Sequence, residues 1–262
     1  MSDEFKDIIM SHLRKDVLLN SLKKGERFDQ RKFDELRSIE IQKNVIKNAE
    51  GSAFVKLGNT QVLVGVKFDM VVPYPDRPDE GTLITNAELL PLANSTFEPG
   101  PPDENSIELA RVVDRGIRSA ECVDPKSLFI EAGKALGLYI DIYVLDHSGN
   151  YLDASSIAAI AALTDTKVPK IEDGKIIRTE NKGKLSLKVL PVTVTSIKVD
   201  NFWLVDPTIE EELAMDSRLT IATTETHIAA VQKGKGSLTK KEFLDNLDIA
   251  FKRGNDIRKL LQ

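Results

Sequence analysis

Glu98 to Ala120, EPGPPDENSIELARVVDRGIRSA, joins a loop that cannot be regular to a segment with two distinct faces. Pro99, Gly100, Pro101 and Pro102 break any helix or strand. Asn105 then reads as an N-cap, with Glu108 three residues on completing a capping box. At about 100° per residue, Leu109, Val113, Gly116, Ile117 and Ala120 share one helix face. Arg111, Arg115 and Arg118 lie opposite. One side therefore needs a core to lie on, and the other carries a row of guanidinium groups.

That row has two readings. It is either a solvated face paired with Glu108 and Asp114, or a ladder for phosphates spanning about 10 Å of helix axis. Arginine keeps its charge, and its planar donor fork matches phosphate oxygens. Spacing alone does not choose between them.

Outward from the helix the pattern is mixed α/β. Upstream, residues 3–23 place Phe5, Ile8, Ile9, Leu13, Val17 and Leu22 near helical spacing, predicting an amphipathic N-terminal helix that packs on the domain or a neighbour. Ile39–Val45 reads as a strand. Ser52–Lys56 and Thr60–Phe68 form a predicted hairpin around Leu57-Gly58-Asn59. Met70–Gly81 holds three prolines and reads as a loop, and Leu83–Ala93 as extended. Downstream, Leu128–Glu131 and Leu138–Asp146 are predicted strands. Asp153 is the expected N-cap of a second, nearly all-aliphatic helix, ASSIAAIAALTD, which must be buried. Residues 170–185 read as a polar connection. Strands at Val189–Lys198, Phe202–Val205, Leu219–Thr223 and Ile228–Gln232 follow, with a short acidic helix at Thr208–Met215. Thr239 and Glu242 open a last helix with a capping box. The expected organisation is an N-terminal helix over 1–24, a first β-rich subdomain over 25–170 and a second over 185–262.

Composition narrows the function. No apolar run approaches the length of a membrane span. The N-terminus has no signal pattern, which predicts a cytoplasmic protein. Cys122 is the single cysteine, so no internal disulfide and no cysteine metal site is expected. With 36 basic and 41 acidic residues the net charge is −5, so contact with nucleic acid needs a local basic patch. His12, His147 and His227 show no zinc spacing. Gly234-Lys235-Gly236-Ser237 lacks the order of a phosphate-binding P-loop and reads as a turn. Glu210, Glu211, Glu212 and Asp216 are either acids favoured by a helix N-terminus or a magnesium or general-acid site.

Four stretches together resemble the RNase PH family of phosphorolytic exoribonucleases: Arg27-Phe28-Asp29-Gln30-Arg31, GSAFVKLGNTQVLVGVK (51–67), the arginine helix, and LDHSGNYLDASSIAAIAAL (145–163). The resemblance runs from about residue 20 to the C-terminus. PYPDRPDEGT, FEPGPPDENSIELARVVDR and KVDNFWLVDPTIEEELAMD are most like the non-catalytic ring subunit of the archaeal exosome. The resemblance implies the RNase PH fold, with two β-rich subdomains backed by helices. It implies a hexameric ring, a trimer of heterodimers with a catalytic sister, together with RNA-binding cap proteins and single-stranded RNA. It also makes Arg111 and Arg115 RNA contacts, with Arg118 a weaker candidate on the same face.

Departures from the active members set the expected role. Active relatives hold the attacking phosphate with a Gly-Ser/Thr-Arg loop, and Leu152 stands at the position of that arginine, followed by Asp153. Glu98–Glu104 is acidic where they are basic. Their aspartate pair maps onto Glu210 and Asp216, of which only Asp216 keeps its type. The chain is therefore expected to have no catalytic residue, no metal and no cofactor of its own. Phosphate, and Mg²⁺ if used, would belong to the sister. The rival expectations are a self-sufficient phosphate-dependent 3′–5′ exoribonuclease and a scaffold that never touches RNA.

Overall fold

The computed structural model describes residues 15–172 and 174–262. The expected first helix is described from residue 15 only (α1, residues 15–22), so Phe5, Ile8, Ile9, His12 and Leu13 lie outside the described residues. Leu18 and Leu22, one turn apart, are its buried pair, set against Ile197, Val199, Leu204 and Ala214. Val17 points away and is 59% exposed, although the spacing had placed it on the apolar face.

The first sheet has the order β1-β2-β3-β6-β4. Its members are β1 (Ile39–Lys43), β2 (Gly51–Leu57), β3 (Thr60–Val71), β4 (Thr82–Leu89) and β6 (Lys134–Asp146), with β5 (Phe129–Glu131) pairing β6. The two long central strands alternate as a half-covered sheet requires. Val62, Val64, Val66 and Phe68 face inward beside Leu138, Ile140, Ile142 and Val144, all essentially inaccessible. Tyr139, Asp141, Tyr143 and Leu145 occupy the other face, half-buried. The pair β4–β6 is parallel, unlike its neighbours. A parallel pair needs a crossover, and α2 (Glu104–Ser119) supplies it. That connection holds α2 on the sheet and fixes which face turns outward. Ser106, Leu109, Val112, Val113, Gly116 and Ile117 are buried.

The second sheet, β10-β9-β11-β12, is antiparallel throughout. It comprises β9 (Val192–Val199), β10 (Phe202–Val205), β11 (Ser217–Thr223) and β12 (Ile228–Lys233). Between the sheets lies α3 (Tyr151–Asp165), against β2 and β3 on one side and β9 on the other. Every residue from Tyr151 to Leu163 is buried, and the alanines let the strands come close. At Gly51 the approach is tightest: a Cβ there would lie 2.1 Å from Thr166 Oγ1 and 2.7 Å from the Ala162 carbonyl. The short α4 (Ile209–Ala214) precedes β11, and α5 (Lys240–Leu261) packs on β9, β11 and α3. Its capping box at Thr239 and Glu242 forms as predicted.

Three local expectations are corrected. The N-cap of α2 is Asp103, not Asn105. Asp103 is extended (φ −81°, ψ 178°), and its carboxylate accepts from the Ser106 amide at 2.8 Å. That hydrogen bond, the largest influence on it, holds the Asp103 carboxyl below its ordinary value. The N-cap of α3 is Asn150, in the left-handed region at φ 53°, not Asp153, whose carboxylate turns to β9 instead. Residues 170–185 are not a plain connection. They make most of a polar hairpin of β7 (Lys167–Glu172) with β8 (Lys175–Lys184).

Candidate nucleic-acid interface

The outward face of α2 forms one wall of a groove of about 730 Å³, and β11 with the edge strand β12 forms the other. Arg111 and Arg115 stand on the helix wall, exposed and one turn apart, or about 6 Å along the axis. Among the described residues neither makes an ion pair or a side-chain hydrogen bond. Ile107 and Val231, each about half exposed, line the same groove and set apolar surface between its charges.

Arg118 does not share that setting. Its Nε and Nη2 donate to the Asp114 carboxylate at 3.0 and 2.8 Å, and Nη2 also donates to the Leu83 carbonyl at 2.9 Å. The Asp114 hydrogen bonds, outweighing burial, raise its pKa above the usual arginine value. It borders a different cleft, beside Tyr74 and Arg77. The three-arginine row therefore divides into two open guanidinium groups and one engaged in holding α2 to β4.

On the strand wall, Arg218 Nη2 donates to both Glu108 oxygens at 2.6 and 2.7 Å, and Gln232 Nε2 donates to Oε1 at 2.9 Å. Burial works to raise the Glu108 carboxyl, but these donors hold it below its ordinary value. Glu108 is thus no capping residue. It ties α2 to β11 and β12, sets the groove's width and neutralises Arg218. Lys235 stands at the groove's edge, just past β12, in the turn Gly234–Gly236. The Arg218 amide donates to the Lys235 carbonyl at 3.1 Å. Gly236 has φ 78°, and a Cβ on it would fall 1.9 Å from the Asp216 carbonyl, so only glycine closes this turn. The sequence identifies the turn but not its position. Lys235, Arg218 and Gln232 reach the groove because the β11–β12 hairpin packs beside α2, which no local pattern declares.

The start of α3 contrasts with this openness. Leu152 is buried in the main core. The Asn150 amide donates to Glu212 Oε1 at 2.9 Å, and Asn150 Nδ2 donates to Asp153 at 2.8 Å and Asp206 at 2.7 Å. Asp153 also accepts from the amide and hydroxyl of Thr195, both at 2.8 Å. Arg37 clamps Asp206 through Nη2 at 2.7 Å and Nε at 3.0 Å, and Arg31 adds a third contact at 3.2 Å. A helix N-terminus attracts anions, and here the chain's own carboxylates surround it. Burial pushes Asp153 up to about 6 and Glu212 up to about 7. Asp206 goes the other way, because Arg37 outweighs its burial.

The mapped acids are not brought into this network. Asp216 accepts from Lys15 Nζ of α1 at 2.5 Å and from the Asp200 amide at 2.8 Å. Burial works against its charge, but Lys15, the Asp200 amide and, more weakly, Lys235 hold its carboxyl below the ordinary value. Glu210 is exposed on the first turn of α4. Its neighbour Glu211 is buried in a two-pronged pair with Arg27 at 2.8 and 2.5 Å, which anchors the Arg27–Arg31 loop. His147 stacks on Phe97 and meets Tyr151 edge-on, with burial lowering its pKa. The Cys122 thiol is buried and pushed up to about 12.

Comparison with known proteins defines the class. Residues 35–169 match domain 1 of the 3′ exoribonuclease family (RNase PH), and residues 190–253 match its domain 2. The chain belongs to the RNase PH family. It is 50% identical over 260 residues to the exosome complex component Rrp42 of Thermococcus gammatolerans, covering 97% of this chain and 95% of that one. It is 52% identical over 241 residues to Rrp42 of Archaeoglobus fulgidus, covering 91% and 92%. Among solved structures, a chain of the A. fulgidus exosome with RNA bound to the active site superposes with a TM-score of 0.90. Identity there is 50%, over 97% of this chain and 100% of that one. Rice Rrp46, at 17% identity and a TM-score of 0.70, over 90% of this chain and 97% of that one, shares the fold.

Proposed function

We propose that this chain is the RNA-binding, non-catalytic subunit of an exosome ring that degrades RNA from the 3′ end by phosphorolysis. In this reading it alternates with a catalytic sister in a trimer of heterodimers. The sister supplies the phosphate site, the catalytic acid and any Mg²⁺, and this chain supplies part of the RNA path. The observation that carries the reading is the contrast between two anion-attracting places. Arg111 and Arg115 are free for phosphate on α2, while the start of α3, where active relatives hold the attacking phosphate, is occupied by Asp153, Asp206 and Glu212.

A self-sufficient exoribonuclease fits poorly. Leu152 is apolar and buried, and Asp216 is engaged by Lys15. A pure scaffold leaves two exposed arginines in a groove unexplained. Cap proteins and a cytoplasmic setting belong to the same proposal, as expected of a soluble RNA-degrading ring.

The test is phosphate-dependent release of nucleoside diphosphates from single-stranded RNA. The purified chain alone is expected to release none. Mixed with its sister it should form a hexamer by light scattering and degrade RNA. Release by the lone chain, abolished by Asp216→Asn, would overturn the non-catalytic assignment.

A further inference from the structure

We infer that Lys235 is a third cation gripping the RNA backbone, acting across the groove from Arg111 and Arg115 in the place that the sequence had given to Arg118. The inference rests on the RNA-binding role proposed above and names a contact within it. Three observations carry it.

First, Lys235 lines the same groove as Arg111 and Arg115, from the opposite wall, whereas Arg118 borders another cleft. A strand of RNA held only by α2 would be gripped from one side. Second, Lys235 is exposed and, among the described residues, makes no ion pair. The other strand-wall cation, Arg218, is neutralised by Glu108, and the nearby Asp216 carboxylate is already engaged by Lys15. Third, the lysine's backbone is fixed. Its carbonyl accepts from the Arg218 amide, the Gly234 amide donates to the Arg218 carbonyl at 3.0 Å, and Gly236 closes the turn against Asp216. A fixed stem limits the ordering that phosphate binding still requires of the side chain. Ammonium groups bind phosphate as point charges and read no base, so the contact should be independent of sequence.

The experiment uses rings assembled with the sister subunit and a single-stranded homopolymer RNA, titrated at several salt concentrations. Five variants are compared: Lys235→Gln, Lys235→Arg, Lys235→Glu, the double change Arg111→Gln with Arg115→Gln, and Arg118→Gln. Loss of one phosphate contact should flatten the log–log salt slope by about 0.7, a roughly fivefold weakening at 0.1 M relative to 1 M salt. Lys235→Gln should show that loss and Lys235→Arg should restore it, while Arg118→Gln leaves the slope unchanged. Ring size by scattering confirms that each variant assembles, and Lys235→Glu, which should weaken binding further, serves as a second probe of the position. If only the double arginine variant loses affinity and slope, the Lys235 contact is wrong and the RNA-binding role stands. If neither it nor Lys235→Gln changes, the RNA-binding role itself fails.

Discussion

The exposed face of α2 and the first turn of α3 both attract anions, and they end in opposite states. On α2 the charge sits on long side chains held away from their own chain, because the neighbouring carboxylates are engaged elsewhere: Glu108 by Arg218 and Gln232, Asp114 by Arg118. On α3 the attraction comes from backbone amides and a helix end, and the chain's own acids have moved in. Positive potential is thus available to a ligand only where the fold has not already answered it. Counting cations along a helix misses this, since one arginine of three is already paired.

The sharpest way to break the contrast is to open the closed end. Asp206→Ala leaves Arg37 without its buried carboxylate partner and takes one acceptor each from Arg31 and Asn150. Removing one partner from such a cluster costs roughly 3–5 kcal/mol, read as a drop in the urea midpoint. A change below about 1 kcal/mol would mean that the network is not what fills the end of α3.

Glu212 offers a finer probe, through pH. Its folded-state pKa of about 7 lies above the ordinary 4.5, so the folded chain takes the proton more readily than the unfolded one. The stability it contributes is therefore greatest below pH 4.5 and is lost as pH rises through 7. Glu212→Gln mimics the protonated form and should lack that decline. Between pH 5 and 8 the parent should lose on the order of 2 kcal/mol relative to the variant. Asp153 has the same sign and His147 the opposite, but both remain in each protein. Parallel melting-temperature curves across that range would remove the carboxylate from its assigned place.

The open end is tested with the smallest expected energy. Arg111→Ala with Arg115→Ala should flatten the salt slope for single-stranded RNA by about 1.4, a roughly 25-fold loss at 0.1 M relative to 1 M. Folding stability should shift by no more than about 0.5 kcal/mol, as befits surface positions. Equal binding by parent and variant rings would make this face of α2 merely solvated.

Much of this was legible in the sequence because it is local. The 3.6-residue period of α2, the alternation of β3 and β6 and the aliphatic run of α3 each declare themselves within a dozen residues. The caps were misplaced by two or three positions because several Asx residues compete at each start: Asp103 with Asn105, and Asn150 with Asp153. Asp103 succeeds by standing extended before the first turn, and Asn150 by tolerating φ 53°. The hairpin β7–β8 read as a connection because its second strand is almost wholly exposed and carries no apolar alternation. The strand wall of the groove was out of reach altogether. Glu108 and Arg218 are 110 positions apart, and only the tertiary fold brings them together.

The burial of α3 on every side has a consequence for how the chain can be divided. The two family domains meet in one continuous core, in which Ala53, Val64 and Ile140 belong to the same cluster as Val192, Leu219 and Ile257. The helix α3 belongs to the first domain in sequence but is covered by both sheets. A break in the backbone between residues 169 and 190 would cut the sequence between the two matched domains, leaving the first fragment with the face of α3 that β9 covers and the second with the bare face of β9. With one core shared by both domains, the chain is expected to unfold in a single transition, and a partner would meet the groove between α2 and β12 already shaped.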